Sequence, residues 1–324
     1  MNHRSLRSIY LIRFSIILFL AIILLLLTIV SINYGSTNPL IYRYRLIRTV
    51  SVILTGIVIG FAASYLQGCL RNPLVDHYII GIGSGALFAT YLTLLFTANT
   101  ALYLTSLNAV IGGLITLSLT ITLAEYLGGS DTAYVLVGIG VNSVFSGLSI
   151  LISYMIISRL SIPPILMLTG SFINSSVRNI PYLITALSLT ILTYPFLAKP
   201  LNTLLLGDIY TKQLGYNPRI FRLISVAVAG ISTSIVVSIH GLIGFVGLMS
   251  PHISRLLLKT SDHRFTTPLS GVVSSTILLA TDSLSRIFFT KYVGEIPAGA
   301  VASIIGAPFF ISLLISRFRA GRID

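Results

Sequence analysis

Charge is what this chain has least of. Only 9% of its 324 residues are charged, and just 8 are Asp or Glu. A soluble domain carries about 25% charged residues, so a surface facing water on all sides is excluded. Its one cysteine, Cys69, excludes an internal disulfide and reads as a small packing residue at the end of an apolar run. There is no GxxxxGK[ST] phosphate loop, no HExxH, no CxxC and no Ser-His-Asp set. These absences leave no nucleotide, metal or catalytic site of a known pattern. GIGSG at 81–85 imitates a dinucleotide fragment, but no strand precedes it. Together with GIVIG at 56–60 it reads as close helix contact inside a membrane.

What is abundant is apolar length. Hydrophobic residues make up 55% of the chain, and the mean hydropathy is +0.95. Ten apolar runs stand out, at about 14–33, 49–69, 78–98, 103–126, 133–158, 180–198, 220–239, 242–258, 266–288 and 296–316. Each long run approaches the ~20 residues that a helix needs to span a bilayer. Continuous rather than alternating hydrophobicity excludes a transmembrane β-barrel. The expected fold is all-α, a polytopic membrane protein with about ten transmembrane helices in one domain, 1–324. The first run follows Arg4, Arg7 and Arg13 and reads as a retained helix rather than a signal peptide. Residues 159–179, broken by Pro163, Pro164 and Gly170, read as a loop with a short helix on the outer face.

The net charge of +13 lies between the apolar runs. It therefore speaks of topology and anionic headgroups, a lipid partner and not nucleic acid. With the N-terminus inside, fourteen of the 21 Lys and Arg fall on the inner side, and both termini are expected in the cytoplasm. The cluster YRYRLIR at 42–48 breaks the trend on the outer side. Ionisable groups within the runs are few, and Asp282 and Arg286, four apart late in the ninth run, read as an outer-rim pair. His240 reads as part of an outer turn. This scarcity weighs against an ion-coupled secondary transporter, the competing reading, which needs charged groups at mid-membrane. A membrane receptor or structural protein with no transport is a further alternative.

Five segments then carry a family resemblance. They are LQGCLRNPLVDHYIIGIGSGA (66–86), LLLGDIYTKQLGYNP (204–218), GLIGFVGLMSPHISRLL (241–257), TDSLSRI (281–287) and GEIPAGAVASIIGAPFFISLL (294–314). In this order and spacing they resemble the FecCD-type permeases of binding-protein-dependent ABC importers, which carry iron chelates, haem and vitamin B12. Asp208 stands where the family often has Glu, and Ser84 where it often has Asn. The resemblance implies a type II ABC importer permease subunit, itself no enzyme and without a cofactor. ATP and magnesium belong to two separate ATP-binding subunits. It also implies a second permease subunit, identical or a paralogue, and an extracellular substrate-binding protein. The cargo is expected to be an iron(III)-siderophore, haem or cobalamin.

Physical reading assigns the segments roles. Coupling to an ATPase needs a short polar structure that protrudes from the membrane. Two loops qualify: Gly207 to Arg219, with Asp208, Lys212 and Gly215, and Pro251 to Arg264, with His252 and Arg255. The alternative for both is a solvated loop with inside-positive charge. A gate needs close contacts between small residues, which Ser84, Gly85, Asn142 and Ser143 can supply along the path; ordinary helix packing explains them as well. Arginines at the positions matching Arg45 and Arg48 face acidic residues of the binding protein in the family, and Arg286 joins them in this expectation. No metal ligand set is expected. Pro297 suits the start of the last span, and Pro308 is expected to kink it.

Overall fold

The computed structural model describes residues 3–34, 38–97, 102–128, 131–156, 164–291 and 294–319. Among these residues there are twelve α-helices and no strand: α1 (His3–Asn33), α2 (Pro39–Cys69), α3 (Ile82–Phe96), α4 (Leu102–Tyr126), α5 (Asp131–Ile156), α6 (Pro164–Leu168), α7 (Ile180–Leu204), α8 (Asp208–Gln213), α9 (Pro218–His240), α10 (Val246–Leu258), α11 (His263–Ile287) and α12 (Ala298–Arg319). Ten of them match the ten apolar runs; α6 and α8 are short connecting helices. Six described helices are long and apolar enough to cross a membrane, and two more, in α3 and α12, are apolar but shorter. The remaining two, α10 and α11, are short or rich in hydroxyls.

Helix α2 forms the axis of the bundle, packing on α11, α9, α7 and α10. Its contact with α11 is antiparallel and depends on missing side chains. A Cβ on Gly56 would stand 2.4 Å from the Cα of Ser275, and one on Gly60 would stand 2.3 Å from the carbonyl oxygen of Ser270. GIVIG is thus a small-residue seam between two backbones. The facing α11 is polar in sequence yet buried. Its Ser270 and Ser275 hydroxyls satisfy themselves on the carbonyls of Thr266 and Gly271, and Ser275 also donates to Ile53 O on α2 at 3.0 Å. A second close seam joins α3 to α4, where a Cβ on Gly85 would meet Gly112 O at 2.5 Å.

Several expected boundaries shift. Helix α2 begins at Pro39, ten residues before the apolar run, with Asn38 capping it by accepting from Leu40 N at 2.9 Å. The cluster YRYRLIR therefore lies on the helix, not in a loop. Helix α3 starts only at Ile82, because Asp76 ties the preceding turn by accepting from the amides of Tyr78 and Ile79 at 3.0 and 2.8 Å. Gly81 thus precedes the helix instead of lying inside it. Gly241–Phe245 is irregular, and α10 follows from Val246. Pro251, His252 and Arg255 consequently lie inside a helix, leaving only Lys259–Asp262 as loop.

The stretch after α6 is not a superficial loop. Ser171 N donates to His240 O at 2.8 Å, Leu242 N to Met167 O at 2.9 Å and Gly299 N to Gly170 O at 2.9 Å. Phe172 is fully buried and stacks on His240, with centroids 4.5 Å apart. Irregular backbone on either side is thus satisfied by adjoining chain and helix ends within the bundle, the condition under which non-helical chain is tolerated at membrane depth. His240 ends α9 at the turn into Gly241–Phe245, as expected, but its side chain is buried. The expected short helix exists as α6, while residues 157–163 lie outside the described ones. Helix α12 starts directly after Pro297 and continues through Pro308.

Candidate coupling, gating and docking sites

Arg48 and Gln67 mark opposite ends of the buried axis, about 28 Å apart along α2 at 1.5 Å per residue. That distance is close to the ~30 Å thickness of a hydrocarbon core.

At the Arg48 end, four charged groups meet. The Arg48 guanidinium donates to Asp282 Oδ1 at 2.6 Å from Nη2 and at 3.0 Å from Nε. Its Nη1 pairs with Glu295 and donates to Tyr44 Oη. Arg286 Nε lies 3.1 Å from Asp282 Oδ2, and its Nη2 reaches Ser31 Oγ on α1. The Asp282–Arg286 pair expected from the sequence is present, but it is part of a buried network joining α1, α2 and α11 to the segment before α12. Arg48 is 1% exposed, so its expected place on a docking surface is corrected: its charge is spent inside the chain. Arg45 is half-buried and donates to the Tyr34 carbonyl. Arg43 is exposed. Sequence reasoning missed Glu295 and Tyr44, although Tyr44 sits one helical turn before Arg48.

At the Gln67 end, α8 packs one face on α7 and α9 and leaves the other exposed. Gly207 and Gly215 bracket it with φ of 104° and 84°, left-handed values that residues with a Cβ rarely adopt. Asp208 pairs with Arg222 at 2.9 Å, and Arg222 Nε donates to Cys69 O at 3.2 Å, tying the loop to the end of α2. Thr211 is buried, while Lys212 is exposed. Ile209 and Tyr210 are 74% and 61% exposed, with Leu206 and Leu214 beside them. This apolar knob went unnoticed in the sequence, where polar punctuation drew attention instead. A six-residue helix presenting isoleucine and tyrosine to the outside has the character of an interface core. In the second expected coupling segment, Pro251 is buried and Arg255 Nη2 donates to Gln67 Oε1 at 2.7 Å. His252 is half-buried beside them.

The two segments expected to gate, 81–86 and 138–143, lie on packed elements, α3 and α5. A Cβ on Gly81 would be 3.6 Å from Asn142 N, and one on Gly138 would be 2.6 Å from Ile79 O. Thr120 Oγ1 donates to Ile80 O at 3.0 Å, closing α4 onto the same turn. Ser84 is fully buried and donates to Gly81 O at 3.0 Å, and Gly85 is committed to the α3–α4 seam. Asn142 is half-buried with Oδ1 lacking a partner. Ser143 is exposed on α5 and donates to its own Ile139 O at 2.7 Å. Gly140 and Gly147, on the same side of α5, face open space. Ser84 and Gly85 therefore pack the interior, whereas Ser143 with the two glycines forms an open small-residue face.

Among the described residues no group of three or more His, Cys, Asp or Glu could hold a metal ion.

Comparison with known proteins identifies the family. The Fe(3+)-citrate import system permease protein of Bacillus subtilis is 30% identical over 322 residues, covering 92% of this chain and 94% of that protein. The vitamin B12 import system permease protein of Serratia proteamaculans is 30% identical over 276 residues, covering 85% and 81%. The hemin transport system permease protein of Yersinia pestis is 27% identical over 317 residues, covering 92% and 94%. A solved structure described as a metal-chelate type ABC transporter in an inward-facing conformation superposes with a TM-score of 0.78 at 28% identity, covering 94% of this chain and 99% of that one. The FecCD transport family matches residues 9–316. This chain is a helical, multi-pass membrane protein that belongs to the FecCD transport family.

Proposed function

We propose that the chain is the permease subunit of a binding-protein-dependent ABC importer for a metal chelate or corrinoid, an iron(III)-siderophore foremost, with haem and cobalamin as the other cargo classes. The observation that carries this reading is α8, a short helix between two left-handed glycines that packs on α7 and α9 and leaves Ile209 and Tyr210 exposed. It suits insertion into a cleft of a separate ATP-binding subunit, two of which supply the energy. The permease itself does no covalent chemistry and carries no cofactor.

The Gln67 end faces the cytoplasm, as do both termini. Arg71, Lys199, Lys212, Arg219, Arg222 and Lys259 gather there, as the inside-positive bias requires. The Arg48 end then faces outward and receives the binding protein through Arg45 and its surroundings. A second permease subunit, identical or paralogous, meets the open face of α5, placing Ser143 and Asn142 beside the path. The buried charges of the Arg48 network close on one another, an arrangement that suits a structural clamp better than an ion-coupling site.

The test is reconstitution in liposomes with the candidate ATP-binding subunits and binding protein. ATP-dependent uptake of a labelled iron chelate supports the reading. Uptake driven by an ion gradient with no ATPase present overturns it.

A further inference from the structure

A cavity of about 340 Å3 opens at the Gln67 end, between the last turn of α2, the end of α7, α10 and the start of α11. Its polar lining comes from Gln67, Arg71, His252, Arg255, Ser261 and His263. The floor is buried, with Gln67 and His263 each 3% exposed. The rim, at Arg71 and Ser261, is open. Among the described residues that line it, none is acidic. The nearest carboxylate in sequence, Asp262, accepts instead from Arg264 and from Asn202 Nδ2 at 2.7 Å.

The orientation of the Gln67 amide is fixed by chemistry. Arg255 can only donate, so the atom it meets at 2.7 Å is Oε1, and the NH2 group takes the other position. That Nε2 is buried and has no hydrogen-bond partner. A buried donor with no acceptor is unfavourable, and this one lines a cavity with two guanidinium groups. His263 adds no acceptor on its Nδ1 side, which meets the hydroxyls of Ser64 and Thr267 at 3.2 and 3.1 Å. Two guanidiniums and an amide donor around a small space match an anion with several acceptor oxygens.

We propose that this cavity binds a phosphate group, free or as the headgroup of an anionic lipid, held by Gln67 Nε2 and the guanidiniums of Arg71 and Arg255. The proposal stands apart from the transport reading, since it needs neither cargo nor ATPase. A phosphate there bridges α2 to α10 through Gln67 and Arg255, and it lies near the start of α8, since Arg71 Nη1 is 3.8 Å from where a Cβ on Gly207 would stand.

The experiment uses the purified full-length chain in two arms. In a phosphate-free maltoside detergent, inorganic phosphate is titrated by calorimetry. In nanodiscs containing phosphatidylglycerol, native mass spectrometry follows retained lipid. Binding in the first arm identifies the free anion as ligand, and retention in the second identifies the headgroup. In whichever arm binds, Arg71→Gln and Gln67→Leu each weaken binding about tenfold, the loss expected for one charge-assisted contact. Arg43→Gln, on the exposed start of α2, leaves it unchanged. Arg71 sits on the exposed rim, so its variant carries the test even where Gln67→Leu fails to fold. No binding in either arm, or equal binding by wild type and Arg71→Gln, overturns the proposal.

Discussion

Arg48 on α2 and Asp282 on α11 face each other across the antiparallel core and form a two-pronged pair at 2.6 and 3.0 Å, with side chains 1% and 0% exposed. A charge pair so far from water is stable only while both members are present. Asp282→Ala should therefore destabilise the protein by about 3–5 kcal/mol, read as a lowered unfolding midpoint in detergent. Arg48→Met combined with Asp282→Leu should recover part of that loss, because Glu295 and Arg286 lose their partners in it. A double variant no more stable than the single one contradicts this.

The seam between α2 and α11 depends on a missing side chain. A Cβ at Gly56 would sit 2.4 Å from backbone of α11, where no rotamer change can make room. Gly56→Ala should cost about 1–3 kcal/mol through overpacking. Gly140→Ala, where α5 meets open space, should leave the isolated chain no less stable, with a gain of up to about 1 kcal/mol. Thermal unfolding of the two side by side checks the contrast.

Helix α8 should transmit force without contributing to stability. Tyr210→Asp and Ile209→Asp place charge on an exposed knob, so the unfolding midpoint should stay near wild type. Binding to the ATP-binding subunits should fall at least about tenfold, the loss of one interface hot spot. Pull-down of those subunits and ATP-driven uptake report the effect. Retained binding in both variants contradicts a docking role.

Asp262 gives the loop before α11 a pH dependence. Burial raises its pKa, but hydrogen bonds from Arg264 and Asn202 outweigh burial and hold it below the ordinary aspartate value. A carboxylate lowered in the folded state contributes stability above its unfolded pKa. That stability is lost as pH falls through the folded value. Asp262 also caps α11, accepting from Arg264 N at 2.9 Å. Asp262→Ala should cost about 1 kcal/mol at neutral pH and flatten the acid limb of an unfolding profile measured downward from pH 6. An unchanged acid limb contradicts this assignment.

The helices were legible in the sequence because a bilayer demands long apolar runs, and ten of them answer to ten helices. Helix α11 looks polar in composition, yet most of its buried hydroxyls, Ser270 and Ser275 among them, are paired with its own backbone or with α2. The Arg48 cluster was misplaced because an arginine run beside an apolar segment reads as a boundary. Asn38 and Pro39 mark the earlier start of the helix, and only the distant Asp282 and Glu295 reveal that the charge is buried. Pro251 misled in the opposite sense: it reads as a stop, yet it lies in the middle of α10. Residue size alone marked GIGSG at 81–85 for close helix contact, without naming α5 as the partner that Gly81 meets. The knob of Ile209 and Tyr210 was not anticipated, because exposure of apolar side chains cannot be read from their identity.

The decisive measurement is uptake by proteoliposomes that hold the chain, with and without the ATP-binding subunits, under ATP and under an imposed proton or sodium gradient. A permease driven through α8 accumulates labelled iron chelate only when the ATP-binding subunits and ATP are both present, and Tyr210→Asp abolishes that uptake. Accumulation driven by an ion gradient in their absence would contradict it.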